Sequence, residues 1–547
     1  MKATTDRPNI LWISLEDTSP RFGCYGDTLA RTPFIDELAA AGTVYSNAFA
    51  VAGVCSPSRS AIITSMYPTA IGAHHMRTEH VNKFTPELPT PYFAVPPAHV
   101  KTFTEYMRAE GYFCTNNWKT DYQFPSPLTA WDEDGREAHW RHRETGQPFF
   151  AVFNHVLTHE SSMWGDMIRK AYYPDMATDR PLITDPDQVK LPPYLPDTPK
   201  IRESIARYYD LIAEADKFVG ALLRQLEEDG LADNTIVFLW SDHGEGLPRA
   251  KRWPYDAGIR VPLIVRWPGV MEPGQVNDTL VSLIDLGPTV LSLAGAAMPS
   301  HLQGQPFLGA HAKSRDYIFA TRDRYDESYD MVRAARDKRY KYIRNYYPEK
   351  PYLQWIQFSH QHPAFQELWR LELSGQLEGD QRLLMQNTRP VEELYDCVND
   401  PYEMRNLAVD PSYRVDLERL RTVLDDWRDK YDVWGDIPEE RMVAQMWPGG
   451  VQPQTAAPIF IPINSELPGR SGVTQGEYGE PTAILLHSAT QGASIAYTTE
   501  EGTNPSWKLY TKPIILSKGT LLIRAKAVRI GYKDSGETTA SFVIIAL

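Results

Sequence analysis

The 547-residue sequence predicts an α/β fold with a largely parallel central sheet, a smaller C-terminal subdomain and an appended all-β sandwich. Three observations carry that prediction. Buried-type strands such as "NILWIS" and "TIVFLW" alternate with segments of helical period over roughly 300 residues, the pattern of a parallel sheet covered by helices. Near the end, "AILLHSA", "SIAYTTE", "PIILSKG", "TLLIRAKAV" and "ASFVIIAL" are short strands between turn residues with no helical period, as in a β-sandwich. The chain is also too long for one core, so at about 100–200 residues per domain two or three units are expected.

Taken in order, "NILWIS" reads as a buried strand. "RTPFIDELAAAG" reads as a helix with Thr32 as N-cap, Pro33 at the first helical position and Gly42 as the stop. "ESIARYYDLIAEADKFVGALLRQLEEDG" keeps a helical period up to Gly230, "VPLIVRWPG" adds a strand, and "VSLIDLGPTVLSLAG" reads as helical. We assign 1–315 to the main α/β domain. The alternating "KRYKYIRNY" and the helix "YRVDLERLRTVLDDWRDKY" define a smaller subdomain, 316–435. The Pro- and Gly-rich "WPGGVQPQTAAPIFIPINSELPG" marks 436–465 as a linker or wrapping segment, leaving 466–547 as the β-sandwich.

Composition narrows the function. A hydrophobic fraction of 42% and a charged fraction of 23% are those of a soluble globular protein. No run approaches the ~20 apolar residues of a membrane span, so no membrane insertion is expected. The net charge of −14 argues against a broad electrostatic hold on nucleic acid or any anionic polymer, so an anionic substrate needs a local basic pocket. The start, "MKATTDRPNILWIS", lacks an apolar signal core; the expected location is periplasmic or secreted if a signal peptide has been removed, and cytoplasmic otherwise. Four cysteines, Cys24, Cys55, Cys114 and Cys397, make neither a disulfide framework nor a zinc pair.

In open α/β sheets ligands bind beyond the carboxyl ends of the strands. Two acidic clusters fall there: Glu16 and Asp17 after "NILWIS", and Asp242 and His243 after "TIVFLWS". Carboxylates with one neutral ligand and no thiolate suit a hard divalent cation such as Ca²⁺ or Mg²⁺, although acids also commonly end strands and cap helices. "VAGVCSPSRSAII" places Cys55 before Pro57 and Arg59 at a helix start, where backbone N–H groups and a guanidinium would meet an anion. On these grounds Cys55 is either a low-pKa nucleophile at an exposed turn or a small buried cysteine.

"CSPSRSAIITSMYPTAIG" resembles the CxPSR signature of type I sulfatases, and "RPNILWIS", "TPFIDELAAAGTVYSNAF", "VFLWSDHGE", "YDAGIRVPLIVRWPG" and "LIDLGPTVLSLAG" resemble further segments of that family in the same order. The resemblance spans roughly residues 7 to 435. It implies an alkaline-phosphatase-like α/β fold, one bound Ca²⁺, and conversion of Cys55 to Cα-formylglycine by a maturation enzyme. It also implies metal-ligand positions at Glu16, Asp17, Asp242 and His243, with Glu16 standing where many members have aspartate. Arg59 falls beside the modified residue, Lys119 and Lys251 on sulfate-binding positions, and His159, rather than His155, on that of an active-site histidine. "NNWKTDYQ" departs from the family's Lys-x-His, with Asp121 where the histidine would stand. "IGAHHMRT" offers His74, His75 and Arg77 either as a surface turn or for substrate recognition, and with "KTDY" and "THES" it resembles the heparan-N-sulfatase-related bacterial polysaccharide sulfatases.

The tail, in "IAYTTEEGTNPS" and "LLIRAKAVRIGYKDS", resembles the C-terminal β-sandwich of chitobiase and β-hexosaminidase, and packing on the main domain is favoured over carbohydrate binding. The function implied is hydrolysis of sulfate from a sulfated oligosaccharide or polysaccharide fragment. A phosphonate monoester or phosphodiester hydrolase of the same superfamily, or a non-catalytic sulfated-glycan binder, are the alternatives.

Overall fold

Seven residues, Asn9–Leu15, form β1, buried along its whole length as a strand in the middle of a covered parallel sheet must be. The computed structural model describes residues 7–76, 91–165 and 181–545. With β1 go β2 (Thr43–Phe49), β3 (Phe113–Asn117), β4 (Glu133–Asp134), β5 (Phe149–His155), β6 (Thr235–Ser241), β7 (Arg260–Val261), β8 (Leu263–Arg266) and β9 (Gln275–Ser282). Their order is β4-β3-β5-β1-β6-β8-β2-β7, with β9 also paired to β2. The run from β4 to β6 is parallel throughout. β8 lies antiparallel between β6 and β2, which makes the sheet mixed but largely parallel, as the alternation of strands and helices predicts.

Helix boundaries show which local signals hold. The helix Pro33–Ala40 begins at Pro33, but the Thr32 hydroxyl does not cap it; Thr32 Oγ1 accepts instead from the Gly23 N–H at 3.0 Å. Gly42 does not end the helix through a left-handed turn. A Cβ on Gly42 would lie 2.4 Å from the Val265 carbonyl oxygen, so glycine is required by the close approach of β8. The long helix runs Pro199–Glu228, starting four residues before the periodic segment, because Thr198 accepts from the Ile201 N–H and Pro199 fits the first turn. "VSLIDLGPTVLSLAG" is divided: its first residues finish β9, and the helix proper is Leu286–Leu293.

A four-stranded antiparallel sheet follows, β10 (Ile318–Arg322), β11 (Val332–Arg336), β12 (Tyr340–Asn345) and β13 (Glu392–Asp396), in that order. The helix Arg414–Tyr431 buries Leu417, Leu420, Leu424 and Trp427. Trp427 stacks on Phe319 with ring centroids 5.1 Å apart and meets Tyr67 edge-on at 4.9 Å, joining the small sheet to the main domain.

The stretch expected to be a linker contains a helix, Glu439–Met446, whose Glu439 accepts from Arg324 Nε and Nη2 at 2.5 and 2.6 Å and from the Tyr92 hydroxyl at 2.5 Å. Its last residues are strand β14 (Ile459–Ile463), which pairs with the sandwich. The sandwich continues with β15 (Gln475–Tyr478), β16 (Thr482–His487), β17 (Ser494–Thr498), β18 (Lys508–Leu509), β19 (Ile514–Leu516), β20 (Gly519–Val528) and β21 (Thr538–Ile544). They form a three-stranded and a five-stranded sheet around Phe460, Ile484, Ile523 and Phe542. The module packs on the main domain: Lys101 Nζ donates to Ser494 Oγ at 2.6 Å, and Arg108 Nη2 donates to the Trp507 carbonyl at 2.9 Å. Among the described residues no helix is long and apolar enough to cross a membrane.

Gly42→Ala is expected to lower stability by ~1–3 kcal/mol through overpacking. Gly536→Ala, where an added Cβ meets nothing within 4 Å, leaves it nearly unchanged. Urea midpoints of the two variants check this.

Candidate active site

Strands β3, β5, β1 and β6 are consecutive neighbours and parallel, so their carboxyl ends share one edge of the sheet. Each delivers chemistry there: Lys119 after β3, His159 and Glu160 after β5, Glu16 and Asp17 after β1, Asp242 and His243 after β6. Leu15 lies opposite Ser241 in the ladder, and the two loops beyond are locked by Asp242 N–H to the Leu15 carbonyl at 3.3 Å and Thr18 N–H to the His243 carbonyl at 3.1 Å. Asp17 turns through a positive φ of 45°, its N–H donating to Asp242 Oδ1 at 3.2 Å. Cys55 begins the helix Cys55–Thr64, and Arg59 stands one turn further on.

The side chains form one network. Arg59 Nε donates to Asp242 Oδ2 at 3.0 Å, Nη1 to Asn154 Oδ1 at 3.0 Å, and Nη2 to Glu16. Lys119 pairs with Glu16 and lies 3.6 Å from Asp121, which accepts from Ser56 Oγ at 2.5 Å. Lys251 Nζ donates to Asp17 Oδ2 at 2.7 Å, lies 3.2 Å from His159 Nε2, and lies 3.2 Å from Glu160. Arg252 clamps the same Glu160 with two bonds, of 2.9 and 2.6 Å. His243 Nδ1 faces the Gly244 carbonyl at 2.9 Å, so Nδ1 carries the proton and Nε2 presents its lone pair 3.3 Å from Cys55 Sγ and 3.2 Å from Asp17 Oδ1. Four carboxylates, Glu16, Asp17, Asp242 and Glu160, thus face four cations, Arg59, Lys119, Lys251 and Arg252, in direct contact.

Burial sets the protonation states. It pushes the Cys55 thiol well above its ordinary range, Lys119 and Lys251 opposing only in part, so this position is neither exposed nor a low-pKa thiolate. Burial also raises Glu16 against the pull of Arg59 and Lys119. It works in the same direction on Asp242, yet the fixed cations Arg59, Lys119 and Lys251 hold that carboxyl below the usual range. For Lys251, desolvation is outweighed by Asp17 together with Glu160 and its other neighbours, which keeps the ammonium charged.

Glu16, Asp17, Cys55, Arg59, Lys119, His159, Asp242, His243 and Lys251 come together, with Asp121 at the edge beside Lys119. His155 does not join them; its ring packs on Phe218 with centroids 4.8 Å apart. His74 and His75, expected at the substrate, are 1% and 6% exposed and lie against the C-terminal subdomain. There His75 Nδ1 accepts from the Arg324 N–H at 3.3 Å, and its Nε2 lies 4.0 Å from Glu439. Burial drives both rings to their neutral forms, so neither supplies a cation. Arg77 lies outside the described residues. Sequence reasoning passed over Asn154, Glu160 and Arg252. Adjacency to His159 and Lys251 was the signal for the last two, whereas Asn154 is one polar residue closing an apolar strand.

The sulfatase family model matches residues 8–137 and 116–296, which carry every residue of this cluster. The chain belongs to the sulfatase family. The model described as N-sulphoglucosamine sulphohydrolase, C-terminal, matches residues 244–363, and that of the chitobiase/beta-hexosaminidase C-terminal domain matches residues 473–540. An ulvan-active sulfatase of Formosa agariphila is 40% identical, over 97% of this sulfatase and 90% of that protein. Human N-sulphoglucosamine sulphohydrolase is 26% identical over 84% of this chain and 95% of its own. Among solved structures, one in complex with its substrate D-glucosamine-2-N,6-O-disulfate covers 80% of this chain and 100% of its own, at 17% identity and a TM-score of 0.55. A phosphonate monoester hydrolase from Silicibacter pomeroyi covers 78% and 96%, at 19% identity and a TM-score of 0.55. These last two establish the shared, alkaline-phosphatase-like fold alone.

Two predictions follow from the protonation states and the cation set. His75 and His362 are buried and neutral, each shifted from about 6.5 to about 4. The unfolded chain therefore binds protons that the folded sulfatase does not, and stability complete above pH 6.5 is lost as pH falls toward 4. The thermal midpoint is expected to decline over that window, less steeply in His75→Gln. Lys251→Ala is expected to lower kcat by ~10²-fold or more, measured as sulfate release, because the charge of the transferring group loses a fixed cation.

Proposed function

We propose that this sulfate-ester hydrolase acts on a sulfated polysaccharide fragment, through a Cα-formylglycine formed from Cys55 and with a bound Ca²⁺. The observation that carries the reading is the convergence of Cys55, three carboxylates, His243 and three cations on one strand edge. The substrate class rests on the ulvan-active relative, which matches along nearly the whole chain. A thiol held protonated by burial is a poor nucleophile, which favours the modified residue over the cysteine itself. As an aldehyde hydrate that residue would supply two hydroxyls on one carbon: one would attack sulfur as the bond from sulfur to the sugar oxygen or nitrogen breaks, the leaving atom taking a proton, and deprotonation of the other would re-form the aldehyde and break the carbon–oxygen bond to sulfate.

The residues present fit a hard divalent cation. Glu16, Asp17 and Asp242 offer carboxylate oxygens and His243 a neutral ring nitrogen, and Asp17 Oδ1 is buried with no hydrogen-bond partner, a cost that a cation would remove. Ca²⁺ there would supply Lewis-acid polarisation of a sulfate oxygen.

The remaining roles belong to the chain. Arg59, Lys119 and Lys251 hold the sulfate and spread its charge. His159 Nδ1 accepts from the Ser161 N–H at 3.4 Å and lies 2.9 Å from Ser161 Oγ, which leaves Nε2, 3.2 Å from Lys251 Nζ, as the ring position from which a proton reaches the departing sugar oxygen or nitrogen. Asp121 braces Lys119 and Ser56 in place of the family's histidine. Glu160, fixed by Arg252, keeps Lys251 aligned. A formylglycine-generating enzyme is the required maturation partner.

Release of sulfate from a panel of defined sulfated oligosaccharides tests this reading, with 4-nitrophenyl sulfate and a phosphonate monoester assayed beside them. Sulfate release from at least one saccharide, with little phosphonate turnover, is expected; the reverse preference would place the chain with the phosphonate hydrolases. Cys55→Ala is expected to lose all turnover, and full activity in that variant would overturn the catalytic assignment. A chelator is expected to abolish turnover and lower the thermal midpoint, with Ca²⁺ restoring both. In Asp17→Asn the Ca²⁺-dependent rise in midpoint should shrink.

A further inference from the structure

A polymer whose sulfated sugar sits over the cluster has to leave the pocket across some surface, and the departing oxygen lies on the His159 side. Phe358, from the C-terminal subdomain, stands there. Its ring is 5.8 Å from that of His159 at 69°, and 4.5 Å from that of Trp164 at 61°. Ile356 and Phe358 share an apolar cluster with Val54, Cys55, Met76 and Tyr325, so the segment forms one wall of the site rather than a distant patch. Three residues before Phe358, Trp355 is 50% exposed.

The segment is held in place along its length. Ser328 Oγ donates to the Trp355 carbonyl at 2.7 Å, and Ser359 Oγ donates to the Ile356 carbonyl at 3.1 Å. His360 couples it to the helix Pro363–Leu373: Trp369 Nε1 donates to His360 Nε2 at 2.9 Å, which leaves the proton on Nδ1 for the Ile356 carbonyl at 3.0 Å. The ring can make both bonds only when neutral, and burial lowers its pKa in that direction.

We propose that Phe358 and Trp355 form a two-ring glycan platform leading outward from His159. Phe358 meets the sugar whose sulfate is removed, Trp355 stacks on its neighbour toward the polymer, and His360 with Trp369 fixes the segment. Aromatic rings suit this task because a pyranose presents a C–H face with no charge, while the anionic groups on its edge are left to the cations of the cluster. The proposal rests on the glycan-sulfatase reading and adds a chain-length dependence to it.

The test uses the saccharide from which the full-length enzyme releases sulfate, as a monosaccharide and as a tetrasaccharide. Trp355→Ala is expected to raise KM for the tetrasaccharide about tenfold, with kcat and the monosaccharide constants within about twofold. Trp355→Phe should recover most of the loss. Phe358→Leu, which keeps much of the volume, should weaken both substrates. Leu373→Ala, at a position 83% exposed, serves as the control and should change neither. A Trp355→Ala enzyme with unchanged KM for the tetrasaccharide, or with equal losses on both substrates, would overturn the platform alone. A wild-type enzyme that releases sulfate from no saccharide would overturn the reading beneath it, and the platform with it.

Discussion

The structure is organised around a charge problem. Glu16, Asp17 and Asp242 lie fully buried within contact of one another, and three carboxylates so placed repel strongly unless positive charge is fixed among them. Arg59 answers from the Cys55 helix, Lys119 from the loop after β3 and Lys251 from the loop after β6. Each cation is held by the acids it neutralises, Arg59 by Glu16 and Asp242, Lys119 by Glu16 and Lys251 by Asp17, so positive charge is fixed at this one edge of the sheet. The arrangement that makes the fold tolerable is therefore also the one that would grip a sulfate.

That requirement explains why so many elements meet at one edge. The register of β1 against β6 fixes the two acidic loops, and Ser58 Oγ donates to the Asp242 carbonyl at 2.6 Å, tying the Cys55 helix to them. The small subdomain closes the other side: Thr321 N–H donates to the Val51 carbonyl at 2.8 Å, four residues before Cys55, and Tyr325 packs in the apolar cluster that contains it. His74 and His75 belong to this closure, wedged between Arg324 and the rest of the subdomain.

Much of the fold was legible because it follows local rules. Strands β1 and β6 are apolar runs ending in acids, and the long helix keeps its period for 30 residues. The errors were places where a distant segment decides. Thr32 turns its hydroxyl to Gly23, Gly42 is required by β8, and the Pro-rich stretch after 435 contributes a helix and a strand because Arg324, Tyr92 and β16 supply partners for Glu439 and β14.

The same division runs through the active site. The sequence by itself determined the cysteine with its Pro and Arg and the acids after two strands, because residue type and spacing along one strand or one helical turn are local properties, while the two lysines and His159 were named only through the resemblance to sulfatase segments. Only the tertiary structure decided that Cys55 is buried rather than exposed, that Arg252 and Asn154 join the network, and that Phe358 stands beside His159. Burial and contact between segments separated by 92 to 234 positions depend on how sheet, helix and subdomain pack, and no window of sequence contains that information.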